Sequence, residues 1–160
     1  MSKAIEIPLE TTHEVRDTCL CLRAQRAARA LARRFDDAFR PFGLTNGQFS
    51  LLMSLNRPVP PTIQATAALL AMDRTTLTAA LKPLERRGLV HVSPDPKDKR
   101  SRLMRLTDAG RSVLKDAVPI WRETHRLVDA ELAGIDLDML KAGLGKLSES
   151  PLDPAPPRAG

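Results

Sequence analysis

Residues 72–107, MDRTTLTAALKPLERRGLVHVSPDPKDKRSRLMRLT, decide the reading of this chain. Asp73 is a residue type that caps helices, Leu77, Leu81 and Leu84 recur at helical spacing behind it, and Gly88 supplies the stop. Leu89, Val90 and Val92 then read as a strand, and Ser93 to Arg100 as a polar loop with two prolines. Met104 and Leu106 alternate with Arg105 in a returning strand, so the pair forms a hairpin whose tip carries Lys97, Lys99 and Arg100. Nine Lys or Arg stand against four Asp or Glu here, so the stretch's +5 nearly equals the +6 of the whole 160-residue chain. Charge concentrated in this way suits a line of phosphates, because a local cationic surface gains affinity by displacing condensed counterions.

Working outward, helical periodicity dominates. Thr11 and Glu14 have capping-box spacing and open a helix expected to run to about Arg40, with Leu20, Ala24, Ala27, Ala28, Leu31, Phe35, Ala38 and Phe39 along one buried stripe. Thr45 and Gln48 form a second capping box ahead of Phe49, Leu51, Leu52 and Leu55. Three prolines between Arg57 and Pro61 break the chain, and Thr62 caps a helix to about Leu70. Thr107 caps a long helix carrying Leu114, Val118, Trp121, Val128 and Leu132, with Pro119 expected to kink it. A last helix follows Asp136, with Leu137, Leu140, Leu144 and Leu147 on one face.

The expected fold is mainly α with a small β-hairpin wing, a winged helix-turn-helix with flanking helices. Residues 1–10 form an N-terminal arm, 11–43 and 108–148 a helical dimerisation region, 44–107 the winged helix-turn-helix, and 149–160 a proline-rich flexible tail. The outer helices carry more apolar surface than so small a module can cover, which points to a second copy of the chain. Two-fold pairing would set two reading helices about one DNA turn apart, matching a pseudo-palindromic site on double-stranded DNA. No run of about 18 apolar residues could span a bilayer and the N-terminus lacks a secretory pattern, so a cytoplasmic protein is expected, with no membrane partner.

The chain resembles the MarR family of transcriptional regulators over about residues 11–148. The matching pieces are LTNGQFSLL at 44–52, MDRTTLT at 72–78, LERRGLV at 84–90, DPKDKRSR at 95–102 and LTDAG at 106–110, in order and at the right spacing. The resemblance implies a homodimer whose first and last helices interlock, acting most often as a repressor released by a small molecule or by oxidation. It implies that the helix from about Arg74 to Arg87 enters the major groove. Arg74 would then contact a base directly, Thr75, Thr76 and Thr78 would lie in the turns that meet bases and phosphates, and Lys82 would reach a phosphate. One of the three threonines is expected to cap locally instead. Asp98 and Arg100 match a wing pattern in which the carboxylate orients a guanidinium that enters the minor groove, while Lys97, Lys99 and Arg102 contact phosphates. Three positions depart from the usual pattern: Ala71 where glycine is common, Ala79 where a longer polar residue often reaches DNA, and Pro83 inside the reading helix.

On the sensor side, Arg16, Arg23, Arg26, Arg29, Arg33, Arg34 and Arg40 share one arc of the first helix, and an arginine is a suitable partner for an anionic or aromatic acid effector. Most should be solvated; Arg16 and Arg23 are the candidate ligand contacts. A competing sensor is Cys19, which the helical wheel puts among Arg16, Arg23 and Arg26, where positive neighbours favour a thiolate. Cys21 lands on the apolar face. Two residues apart on a helix, the thiols point about 200° away from each other, so a bridge within one subunit is not expected. His13, Cys19, Cys21 and His125 lack metal-ligand spacing. No glycine-rich phosphate loop or nucleophile–base pair is present, and Asp36 and Asp37 point to different faces, so neither a cofactor nor an enzyme is expected. A winged helix that serves only to bind protein is the alternative from another class.

Overall fold

A computed structural model describes residues 7–149. Four side-chain caps set most of the helix starts. Thr45 and Gln48 close a reciprocal capping box: Gln48 N–H donates to Thr45 Oγ1 at 3.2 Å, and Thr45 N–H donates to Gln48 Oε1 at 3.0 Å. Thr62 accepts from Ala65 N–H, Asp73 from Thr76 N–H and Thr107 from Gly110 N–H. In chain order the elements are α1 (Leu9–Thr18), α2 (Leu20–Phe39), a 3-10 turn (Arg40–Phe42), α3 (Asn46–Ser54), α4 (Ile63–Leu69), α5 (Arg74–Arg86), β1 (Val90–Pro94), β2 (Arg102–Leu106), α6 (Asp108–Glu131) and α7 (Leu137–Glu149). A proline-rich tail was expected over 149–160; beyond Glu149 that stretch lies outside the described residues, as does most of the arm at 1–10.

The core forms where the short helices meet the hairpin. Leu51, Leu52, Leu77, Leu84 and Met104 have no accessible surface, and Phe39 joins them from the end of α2. Its ring stacks on Phe49 with centroids 4.4 Å apart, fixing α3 against α2. β1 and β2 pair antiparallel, with Val90 opposite Leu106 and Val92 opposite Met104. The connection after α3 adds a third short pairing, in which Thr62 lies opposite Leu103 and Met104 N–H donates to the Pro61 carbonyl at 3.1 Å. α6 returns from the hairpin at a close approach: a Cβ built on Gly110 would lie 2.1 Å from the Leu89 carbonyl oxygen, so only glycine fits there.

The first helix differs from expectation. Instead of one helix from Thr11 to Arg40, the chain breaks at Cys19, whose φ of −69° and ψ of 105° are extended, and α1 and α2 flank it. α1 starts at Leu9, so Thr11 and Glu14 sit inside it and form no capping box. The break gives α2 its own start, with Cys19 Sγ accepting from Leu22 N–H at 3.4 Å. The apolar stripe is also buried only at its C-terminal end within one chain: Phe35 and Phe39 are covered, whereas Leu20 and Leu31 are exposed. α6 runs through Pro119 as one helix. Exposed Leu140, Leu144 and Leu147 of α7 join Leu20 and Leu31 around an apolar groove of about 510 Å³ between α2, α6 and α7.

Candidate nucleic-acid interface

Helix α5 owes its start to Asp73. This carboxylate accepts from Thr76 N–H at 2.8 Å and from the Thr76 hydroxyl at 2.5 Å, and those two bonds, the hydroxyl first, hold it below the usual aspartate range. The Thr78 hydroxyl donates back to the Arg74 carbonyl at 2.7 Å. The Thr76 hydroxyl is therefore spent on the Asp73 cap and that of Thr78 back-bonds, leaving Thr75 as the threonine whose hydroxyl has no recorded bond among the described residues. Leu77, Leu81 and Leu84 bury one face of α5, and Arg74, Thr75, Thr76 and Lys82 are exposed on the other. Pro83 lies within α5, which continues to Arg86. The helix then closes with Gly88 at φ 68°, Gly88 N–H donating to the Glu85 carbonyl and Leu89 N–H to that of Leu84. Before the helix, Ala71 takes φ 51°, so the turn accepts the left-handed strain that glycine would avoid.

Carboxylates shape the wing through the backbone. Asp95 Oδ1 accepts from Lys97 N–H at 2.8 Å, and Asp98 Oδ1 accepts from Arg100 N–H at 3.0 Å. The tip is closed by Ser101 N–H donating to the Asp98 carbonyl at 2.8 Å. Asp98 was expected to orient the guanidinium of Arg100. It fixes the amide of Arg100 instead, a local Asx bond that sets the direction in which the side chain leaves the turn.

Ion pairing differs between the two parts of the molecule. On the outer helices and the turn after α2 five arginines meet carboxylates: Arg16 with Asp17, Arg34 with Glu131, Arg40 with Asp37, Arg111 with Asp108 and Arg126 with Glu123, while Arg26, Arg33 and Arg122 have no side-chain partner recorded among the described residues. Arg74 and Lys82 on α5, and Lys97, Lys99, Arg100 and Arg102 on the wing, are all exposed, and none has a side-chain hydrogen bond or ion pair recorded among the described residues. Strand pairing puts Arg102 opposite Pro94, at the tip end of the hairpin.

The expected sensor residues lie elsewhere. Arg16 is held by Asp17, and Arg23 donates to the Asp17 carbonyl at 2.6 Å, tying α2 back to the end of α1. Cys21 is exposed and accepts from Gln25, whereas Cys19 is the partly covered thiol, the reverse of the helical-wheel placement. The wheel had assumed a continuous helix through Cys19. A cleft of about 620 Å³ that sequence reasoning missed opens between α3, α4 and α6, lined by Phe49, Met53, Leu69, Val118 and Trp121 together with Arg57 and Arg122. Arg57 sits in the proline break and Arg122 on the polar side of α6, so no sequence periodicity links them.

A short helix, a turn, a second helix with an exposed polar and cationic face and a basic hairpin define a winged helix-turn-helix. Comparison with known proteins agrees: the MarR family description matches residues 44–101. The transcriptional regulator MosR of M. tuberculosis, solved in complex with DNA, is 37% identical with a TM-score of 0.73, over 81% of this chain and 93% of that one. The transcriptional activatory protein BadR of Rhodopseudomonas palustris is 35% identical over 97 residues, covering 59% of this chain and 55% of BadR. The organic hydroperoxide resistance transcriptional regulator of Bacillus subtilis is 28% identical over 131 residues, covering 82% of this chain and 88% of that protein. The chain spans about half the length of the first curated relatives it matches. It belongs to the MarR family of winged-helix transcriptional regulators, which are not enzymes.

Proposed function

We propose that this chain is a homodimeric, sequence-specific repressor that binds a pseudo-palindromic operator in double-stranded DNA and is released by a small aromatic or anionic effector. The observation that carries the proposal is the cluster of exposed cations on α5 and the wing, Arg74, Lys82, Lys97, Lys99, Arg100 and Arg102, for which no side-chain partner is recorded among the described residues. In this reading Arg74, with Thr75, Thr76 and Thr78 near it, meets base edges in the major groove, and Lys82 meets a phosphate. Arg100 enters the minor groove from a tip preset by Asp98, while Lys97, Lys99 and Arg102 follow the backbone.

Residues 44–107 do the reading. Residues 11–43 and 108–148 pair two copies, and the exposed leucines of α2 and α7 support this because a second copy would cover them. The cleft between α3, α4 and α6 suits the effector, having an apolar floor for a ring and Arg57 and Arg122 for a carboxylate. Occupation of that cleft would shift α6 against α3 and α4, changing the angle at which the two reading helices meet successive grooves. No helix among the described residues is long and apolar enough to cross a membrane, which fits the cytoplasmic location proposed.

The test is binding to the intergenic DNA upstream of the chain's own gene against scrambled competitor. Arg74→Ala should cost about 1–3 kcal/mol, largely at one base-pair position, whereas Lys82→Ala should weaken all sequences alike and lower the salt slope by about 1. Specific binding untouched by Arg74→Ala and Arg100→Ala would remove those residues from the reading surface, and no specific binding by the wild-type chain would leave a protein-interaction module as the better description.

A second reading is favoured by the break between α1 and α2. Cys19 lies there, outside the regular helix, with its sulfur at the first turn of α2. A peroxide would oxidise the Cys19 thiolate by two electrons to a sulfenic acid and leave as alcohol or water. Condensation with a second thiol, releasing water, would give a disulfide. Loss of specific binding on peroxide treatment, restored by a thiol reductant and absent in Cys19→Ser, supports this sensor; binding indifferent to peroxide removes it.

A further inference from the structure

The cap residue that follows α5 reaches the turn that follows α2. Arg87 closes α5, its own amide donating to the Pro83 carbonyl at 3.1 Å. Its guanidinium crosses to the turn after α2, where Nη2 donates to the Phe42 carbonyl at 2.9 Å and Nη1 donates to the Gly43 carbonyl. Successive carbonyls taken by one planar fork make a contact that fixes direction as well as distance, which a lysine ammonium could not do. The corner is shaped to receive it: Gly43 has φ 62°, and a Cβ there would lie 3.4 Å from Nη2. The same corner is held on its other side by Asp36 of α2, which accepts the N–H of Asn46, the first residue of α3, at 2.6 Å.

α5 packs on α3, α4 and β1, and α2 packs on α3 and α6. The fork therefore adds a direct polar tie from the end of α5 to the 3-10 turn that follows α2. We propose that Arg87 is a positioning residue that sets the angle between α2 and α5, and through it the half-site spacing that two copies accept. The proposal rests on the DNA-binding reading above. Its physical basis is symmetry: a change of angle in each subunit is repeated by the two-fold axis, so a small slack at the corner becomes slack in the separation of two reading helices.

The test compares Arg87→Ala and Arg87→Lys with Arg86→Ala, an exposed neighbour of equal charge for which no hydrogen bond is recorded among the described residues. Operators with one base pair inserted or removed between half-sites are measured beside single half-sites. Wild type and Arg86→Ala should lose about tenfold in affinity on the altered spacing, and both Arg87 variants only about twofold, with single half-site affinity kept. Arg87→Lys keeps the charge, so its agreement with Arg87→Ala isolates the fork. A spacing profile in the Arg87 variants parallel to wild type overturns the proposal, as does an equal loss on half-sites with a lowered salt slope, the mark of a phosphate contact.

A second readout needs no DNA. Spin labels at Arg26 on α2 and Ala79 on α5, in a chain with both cysteines replaced by serine, should give a broader distance distribution in Arg87→Lys than in Arg86→Ala. Superimposable distributions overturn the proposal. Absence of any specific DNA binding by the wild-type chain would defeat the operator reading alone, and the label distances would still decide the role of Arg87.

Discussion

Between Leu44 and Leu106 the chain covers most of its large apolar side chains, Met53, Val59 and Leu69 excepted, whereas on the outer helices it leaves many of them open. Leu51, Leu52, Leu77, Leu84 and Met104 are fully buried, while Leu20, Leu31, Leu140, Leu144 and Leu147 keep 41–58% of their surface. Ion pairing runs the opposite way: the five ion pairs among the described residues lie on the outer helices and the turn after α2, and the cations of α5 and the wing have none. The inner region thus closes its core within a single chain and presents clustered unpaired cations, which asks for a polyanion. The outer region holds the ion pairs and presents apolar surface, which asks for another apolar surface.

The sharpest way to break the inner region is at its contact with Gly110 of α6. Gly110→Ala drives a methyl group into the Leu89 carbonyl and should cost about 3 kcal/mol, read as a lower urea midpoint. A midpoint within error of wild type would mean that the close approach relaxes freely. The outer region breaks at Leu144→Asp, which should leave the fold intact by circular dichroism but disrupt pairing. Burying a leucine is worth about 1.5–3 kcal/mol, and two-fold symmetry counts it twice, so the dimer dissociation constant should rise roughly a hundredfold or more. Sedimentation checks this, and an unchanged dimer would place the interface elsewhere.

A smaller effect, in the stabilising direction, is expected at the turn before α5. Ala71→Gly removes left-handed strain and should raise stability by about 0.5–1 kcal/mol, seen as a higher melting temperature, since relief of strain exceeds the added freedom of the unfolded chain. The smallest effect concerns the tie between α2 and α6. The guanidinium of Arg34 holds the Glu131 carboxyl below its ordinary range, so the folded chain binds that proton less readily than the unfolded one. Its contribution is complete above the ordinary glutamate range and is lost as pH falls through the lowered native value. Both groups are exposed and screened, so Glu131→Gln should melt only slightly below wild type near neutral pH. The two curves should converge in acid; a gap that widens there would reverse the assignment.

Legibility in the sequence followed the range of the interactions. Caps at Thr45, Thr62, Asp73 and Thr107 and the buried face of α5 depend on neighbours three or four residues away, and spacing reveals them. The break at Cys19 was hidden because helical periodicity continues across it, and with it went the correct placement of both thiols. Asp98 was read as a side-chain partner for Arg100 because a sequence does not distinguish a carboxylate bonded to an amide from one bonded to a guanidinium. The pairing of Pro61 and Thr62 with β2, the fork of Arg87 on Phe42 and Gly43, and the meeting of Arg57 with Arg122 join residues about 40 or more positions apart. Local pattern carries no trace of such contacts.

The most direct test of the two-region account is a hydroxyl-radical footprint of the purified protein on its own upstream DNA, with the mass of the bound species measured in the same sample. Two protected tracts centred about 10–10.5 base pairs apart, or a multiple of that, made by a species of twice the 17.6 kDa chain mass, are expected. A single protected tract bound by one chain would contradict the pairing of outer helices, and uniform protection without tracts would contradict sequence-specific reading by α5 and the wing.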